Sequence, residues 1–453
     1  MTCSLSVLLL ASALAAPLAD DAAMELQYTG VFSKGTHTDE GEGLKRFTLY
    51  ALLQPASNGT RQLAYVLDER GGGGWAWPER FGAVDLDAQW KPTPASPLKL
   101  LYDHAGTPTV IGVACPLFFS PKALKPGLDW VDGKESSEVA GTRKVLERDC
   151  WQVDVTTTFG HKRSVWVDRK LPVLVSLEER VFIGQGEEHT LRMQLESSKV
   201  IEARQLARLQ KPWQRLQKLQ AELLRGDLEF RPELSEKQLA LASKAIADLE
   251  KESAETPFAE LVSAIGRDVK LQGQRTDELE KLAQRFVGKP TPELKLQGLN
   301  RKPFDSAPLK GKILVLHFWE YQGQPLVEPY GQVGYLDFLY GKRKKLGVEA
   351  IGIAVDGRLA DAQRAGTALR SINKLRSFMN LSYPIAVDDG TLLGKFGDPR
   401  RAGAKLPLWV VIGPDGKVAH YRSGFYKINP DEGLQELDAV LIPLIRQRHA
   451  AEK

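Results

Sequence analysis

The stretch His317-Phe318-Trp319-Glu320-Tyr321-Gln322-Gly323-Gln324-Pro325-Leu326 continues an apolar run that begins at Ile313-Leu314-Val315-Leu316, after the turn Leu309-Lys310-Gly311-Lys312. A continuous apolar run suits a strand covered on both faces, and Val348-Glu349-Ala350-Ile351-Gly352-Ile353-Ala354-Val355 reads as the next parallel strand for the same reason. Neither the quoted stretch nor anything after Cys150 contains a cysteine. Disulfide exchange needs a thiolate to attack and a second thiol to resolve the mixed disulfide, and this region supplies neither. The absence moves the reading from redox chemistry toward binding.

The same stretch resembles the active-site strand and helix start of a thioredoxin, where Phe-Trp ends the strand and Cys-Gly-Pro-Cys opens a helix after three more residues. Here those four positions are Gly323-Gln324-Pro325-Leu326, so Gly323 and Leu326 are degenerate active-site positions. Residues from about 287 to 445 resemble bacterial exported thioredoxin-like proteins, the TlpA-like or redoxin domains. The resemblance is carried by the entry Val287-Gly288-Lys289-Pro290-Thr291-Pro292, by Lys310-Gly311-Lys312 before the strand, and by Leu406-Pro407-Leu408-Trp409-Val410-Val411-Ile412-Gly413-Pro414-Asp415-Gly416. It implies an α/β thioredoxin-like fold with Pro407 in the cis form and the Leu406 backbone available to an extended peptide. Gln322, Gly323, Gln324, Pro325, Leu406 and Pro407 are therefore the candidate peptide-binding residues. The resemblance places His317 where thioredoxin has a buried aspartate. With no thiol to serve, it reads as a packed core residue with satisfied nitrogens rather than a general base. Glu320, Tyr321 and Glu328 are expected near the helix start, where the helix dipole favours carboxylates.

Upstream, residues 20–201 read as an antiparallel β-rich domain. Lys45–Leu53, Arg61–Leu67, Trp151–Thr156, Arg163–Asp168, Val173–Val181 and Glu188–Leu195 carry strand composition between turn signals. Ser164-Val165-Trp166-Val167-Asp168-Arg169-Lys170-Leu171-Pro172-Val173 resembles a strand pair of the LolA-like lipoprotein carriers. Gly71-Gly72-Gly73-Gly74 before Trp75-Ala76-Trp77 is either a ligand-contacting loop or a turn whose tryptophans tuck into the sheet. Residues 202–287 read as a helical connector. Its apolar positions recur at three and four residues, Pro212 marks a break or restart, Gly226 a stop, and Ser235 with Gln238 a capping box. A third helix opens at Thr256-Pro257 and a fourth at Thr276. The thioredoxin-like domain occupies 288–453, which makes the chain multidomain.

Residues 1–19 read as a secretory signal peptide with Ala13-Leu14-Ala15 spacing, although no Lys or Arg precedes the apolar run. No other stretch approaches the ~18 apolar residues of a membrane helix, so an exported protein, periplasmic or secreted, is expected. In that compartment Cys115 and Cys150 are a candidate disulfide, with separate buried thiols as the alternative. Asn58-Gly59-Thr60 and Asn380-Leu381-Ser382 match the glycosylation sequon. A net charge of +4 spread over 453 residues gives no nucleic-acid footprint. Lys342-Arg343-Lys344-Lys345 reads as cations at a helix C-terminus. No metal-ligand spacing, phosphate loop or nucleophile elbow occurs, and no cofactor is expected. The reading is a redox-inactive binding or scaffolding protein for a protein or peptide partner. Its rivals are a thiol-disulfide oxidoreductase or redoxin-type antioxidant protein, and a lipid or lipoprotein carrier built on the β domain. An apolar cavity within the sheet would favour the carrier, and a filled core would count against it.

Overall fold

A computed structural model describes residues 22–35, 43–56, 60–87, 90–93, 98–104, 107–226, 233–304, 309–321 and 330–451. The signal-peptide segment, the Asn58-Gly59 part of the first sequon, and Gln322 through Glu328 lie outside the described residues. The chain divides into two compact units between Lys270 and Leu271.

The first unit is built on strands β1 (Ala23–Lys34), β2 (Gly43–Pro55), β3 (Arg61–Gly71), β4 (Phe81–Leu86) and β5 (Pro92–Thr93). A hairpin follows, β6 (Lys99–His104) and β7 (Thr107–Gly112). The remaining strands are β8 (Asp129–Asp132), β9 (Glu135–Val145), β10 (Arg148–Thr157), β11 (Gly160–Asp168), β12 (Leu174–Ile183) and β13 (Glu187–Ile201). All but the hairpin form one antiparallel sheet of 11 strands in the order β5-β4-β3-β2-β1-β13-β12-β11-β10-β9-β8. The β10 to β13 meander is the one expected from the turns at Phe159-Gly160 and Gly184-Gln185-Gly186.

Alternation along β2 explains why its middle reads as unbroken hydrophobicity. Phe47, Leu49, Ala51 and Leu53 join the core on one face, while Tyr50 and Leu52 join a second core on the other. Strands covered on both faces lose the in-out pattern. The second core is closed by α1 (Ala203–Leu223), α2 (Glu236–Ser253) and the first part of α3 (Ala259–Phe286), through Leu209, Trp213, Leu216, Phe258, Ile265 and others. The first face is filled by the chain itself: Leu98, Leu100, Ile111, Val113 and Leu117 from the hairpin and the following loop pack onto Tyr28, Leu49, Leu63 and Leu177.

Two helix expectations are corrected. Pro212 does not break α1; it is buried inside it beside Trp213, where packing outweighs the lost backbone hydrogen bond. Thr276 does not open a fourth helix, because its hydroxyl donates back to the Gln272 carbonyl at 3.0 Å within a continuous α3. The capping box is present: Gln238 N–H donates to Ser235 Oγ at 3.4 Å, and Ser235 N–H donates to Gln238 Oε1 at 2.9 Å.

The second unit contains β14 (Gln297–Gly298), β15 (Ile313–Trp319), α4 (Val333–Arg343), β16 (Val348–Val355), α5 (Ala362–Phe378) and β17 (Ile385–Asp388). It continues with α6 (Thr391–Lys395), β18 (Leu408–Ile412), β19 (Val418–Ser423) and α7 (Gln435–Ala451). The sheet order is β14-β17-β16-β15-β18-β19, with β15, β16 and β17 parallel and β18 antiparallel to β15. Every residue of β15 is buried. Ile313, Val315 and Trp319 face α4, α5 and α7, whereas Leu314, Leu316 and Phe318 face α6 and the end of α3. Arg343 does more than offset a helix dipole: it grips Asp438 of α7 with two hydrogen bonds of 2.7 and 2.6 Å.

Candidate functional site

Strand β15 ends at Trp319, and β18 brings the segment before it alongside. The Leu406–Pro407 peptide bond is cis, as the sequence led us to expect. The Pro407 carbonyl accepts a hydrogen bond from Gly424 N–H at 2.7 Å, which fixes the turn into β18. Among the described residues, neither the amide nor the carbonyl of Leu406 has a hydrogen-bond partner. Buried backbone groups are nearly always paired, so these two groups are left over among the described residues. Its side chain is buried.

Behind that edge lies a column of rings. His317 and Trp409 face each other in the β15–β18 register and stack with centroids 3.8 Å apart. Tyr426 packs against Trp409 at 5.3 Å, and its hydroxyl lies 2.8 Å from His420 Nε2. Gln332, fully buried with φ 62°, holds Tyr426 through both backbone groups, donating to its carbonyl at 2.7 Å and accepting from its N–H at 3.0 Å. His317 is buried, as expected, but its nitrogens are not satisfied: neither has a hydrogen-bond partner among the described residues. Burial pushes its pKa down to about 3, with the nearby Gly331 backbone opposing the shift only in part. The ring is neutral at ordinary pH and far from a general base poised near neutrality.

Glu320 follows directly on β15, and the helix start expected just after it falls on residues outside those described. Among the described residues the next α-helix begins at Val333, and Glu320 pairs with Arg400 at 3.1 Å. Arg400 also chelates Asp398, and this guanidinium holds the Asp398 carboxyl below its usual range against the opposing effect of burial, the largest single influence.

The two cysteines belong to the first unit, and the disulfide considered for them is not formed: both are free thiols. Cys150 is buried in β10, where its thiol faces the Arg148 carbonyl at 3.5 Å; Cys115 is partly buried in the loop covering the sheet. Burial raises each thiol to about 11. Among the described residues no cluster of three or more His, Cys, Asp or Glu side chains suits a metal. No helix among them is long and apolar enough to cross a membrane. The sheet face on which a carrier's cavity was considered is filled by the protein's own hairpin and loop, which weighs against that reading.

Residues 287–421 match the model of the AhpC/TSA family. The C-terminal region carries an AhpC/TSA domain. It is similar to Thiol-disulfide oxidoreductase ResA of Bacillus cereus, 30% identical over 133 residues, which are 29% of this chain and 66% of that protein. The ResA of Bacillus anthracis is 30% identical over 136 residues, with the same 29% and 66% coverage. The chain thus spans about two thirds of the length of these curated relatives. Among solved structures it is similar to a thiol:disulfide interchange protein, thioredoxin family protein from Chlorobium tepidum TLS, with 20% identity, a TM-score of 0.27, and coverage of 35% of this chain and 96% of that one. Residues 287–421 contain no cysteine.

Proposed function

We propose that the chain is an exported, redox-inactive binding protein whose AhpC/TSA domain holds an extended segment of a protein partner along the Leu406–Pro407 edge. The observation that carries the reading is the Leu406 backbone, unpaired among the described residues beside a cis-proline, in a domain without a thiol. A strand-like edge with unpaired backbone groups binds a peptide through main-chain hydrogen bonds and needs no sulfur. Gln322, Gly323, Gln324 and Pro325, the other residues the sequence names for this role, lie outside the described residues. The relatives' name as thiol-disulfide oxidoreductases supports a second reading, in which Cys115 and Cys150 supply the chemistry. Their raised pKa values work against it, since the thiolate is the reactive form.

Reduction of insulin disulfides by dithiothreitol separates the two. The chain is expected to give no turnover above background. Turnover that disappears in Cys115→Ser or Cys150→Ser would establish the oxidoreductase reading instead. Binding is tested by partner recovery with the intact chain and with a Gly323→Trp, Leu406→Asp double variant, folding being checked by circular dichroism. Unchanged recovery would remove this surface from the proposal.

A further inference from the structure

The first unit contains a cleft of about 250 Å³ that the C-terminal proposal does not use. Its apolar walls are Leu67, Trp75, Pro78 and Phe81, and its polar groups include Tyr65, Lys99 and the Arg225–Glu79 pair. We propose that this cleft binds a small organic acid, with the carboxylate on Lys99 and Tyr65 and the apolar body against Trp75 and Phe81.

The charge balance selects an anion. Arg225 and Glu79 pair through a 2.6 Å contact, with both side chains largely buried, and each has further partners. Lys99 has no ion pair or hydrogen bond from its ammonium among the described residues, which leaves an unpaired ammonium among them on the cleft wall. The Tyr65 hydroxyl is also without a partner among them. Burial raises that phenol to about 12, so it keeps its proton and is a donor, not a competing anion. An ammonium and a hydroxyl donor are matched by a carboxylate, which accepts from both. The volume is below the roughly 300–1,000 Å³ of sites for drug-sized ligands, which favours a small acid over a nucleotide or a lipid chain.

The walls are held in place before any ligand arrives. Tyr65 reaches across β4 because the residue paired with it is Gly82, where a Cβ would lie only 2.7 Å from the phenol oxygen. The Trp75 indole N–H donates to the Lys99 carbonyl at 2.9 Å, tying the aromatic wall to the residue that carries the charge. The Gly71–Gly74 turn is fixed by a fully buried ion pair, Lys45 to Glu69 at 2.7 Å. Lys45 also donates to the Gly73 carbonyl at 3.0 Å, and Glu69 accepts from the Trp75 and Leu101 amides. A buried ion pair is weak evidence for stability and is better understood as specifying one geometry. Here that geometry is the glycine turn and the indole beside the cleft. At Gly71 the turn leaves no room for a side chain: φ is 118°, and a Cβ there would meet the Leu44 carbonyl at 2.3 Å.

Calorimetric titration of the full chain with acetate, hexanoate and benzoate tests the proposal, with benzamide and benzylamine as neutral and cationic controls. Benzoate or hexanoate is expected to saturate one site and the controls are not. Lys99→Gln is expected to weaken binding about tenfold or more, and Tyr65→Phe about ten- to a hundredfold, the range of a hydrogen bond to a charged group. Lys170→Gln, on an exposed turn between β11 and β12, leaves affinity unchanged. Thermal melts verify that the variants fold. Failure of all three carboxylates to saturate would overturn the proposal, as would equal binding of benzamide or full affinity in folded Lys99→Gln.

Discussion

The imidazole of His317 lies on the indole of Trp409 at a centroid separation of 3.8 Å and an angle of 14°, with no hydrogen-bond partner for either ring nitrogen among the described residues. A histidine stacked this way behaves as a flat apolar residue as long as it is neutral. Its cost appears on protonation, because burial disfavours the charged form.

The consequence is a specific pH dependence. The folded ring titrates at about 3 and the unfolded one near 6.5, so between those values only the unfolded chain takes up the proton. Stability is fully retained above about 6.5, falls by up to about tenfold in the folding equilibrium per pH unit below it, and stops responding below about 3. Urea denaturation of wild type and His317→Leu across this window is expected to show a shallower acid loss in the variant. Parallel curves would mean that the ring is solvated or paired.

How far such features can be read from sequence depends on whether their cause is local. The capping box at Ser235 and Gln238 was legible because both partners lie within one turn. The cis-proline was legible through its sequence neighbourhood, and β10 to β13 through alternation between tight turns. Thr276 misled because the same hydroxyl that caps a helix also bonds backward inside one. The hairpin that fills the sheet face was not legible, since Leu100 and Ile111 are isolated apolar positions until β6 and β7 pair. Nothing in the strand pattern around Lys45 and Glu69 marks them as buried partners. Their inward orientation follows from the β2–β3 register, which places Lys45 opposite Gly71 and Phe47 opposite Glu69.

The two thiols offer a chemical check. Raising each from 9.0 to about 11 lowers the thiolate fraction about 100-fold near neutrality. Labelling by iodoacetamide in the folded chain is expected to be slower than in urea by about that factor or more, and to accelerate as pH rises toward 11. Rapid labelling of either cysteine in the folded chain would contradict the burial and revive a thiol-based activity.

Arg343 and Asp438 tie α4 to α7 through a fork of two charge-assisted hydrogen bonds, with the two side chains only 18% and 12% exposed. Arg343→Ala is expected to destabilise the fold by about 1–3 kcal/mol. Arg343→Lys is expected to recover only part of that, because an ammonium cannot reproduce the planar fork. Full recovery in chemical denaturation would reduce the contact to simple charge.

The Lys45–Glu69 pair makes a sharper prediction, because removing one partner and removing both have opposite consequences for the charge left behind. Lys45→Met strands the Glu69 carboxylate in a fully buried position and is expected to cost about 3–5 kcal/mol. Lys45→Met combined with Glu69→Gln removes the stranded charge while the amide oxygen still accepts from the Trp75 or Leu101 N–H, so it is expected to be more stable than the single variant. The double variant also loosens the hold on Gly73, since the donor to its carbonyl is gone. Faster hydrogen exchange at Gly73 through Trp75 in a stably folded double variant is therefore the expected signature of a pair that fixes geometry. Unchanged exchange, together with a cost below about 1 kcal/mol for Lys45→Met, would assign the pair no role in positioning the turn.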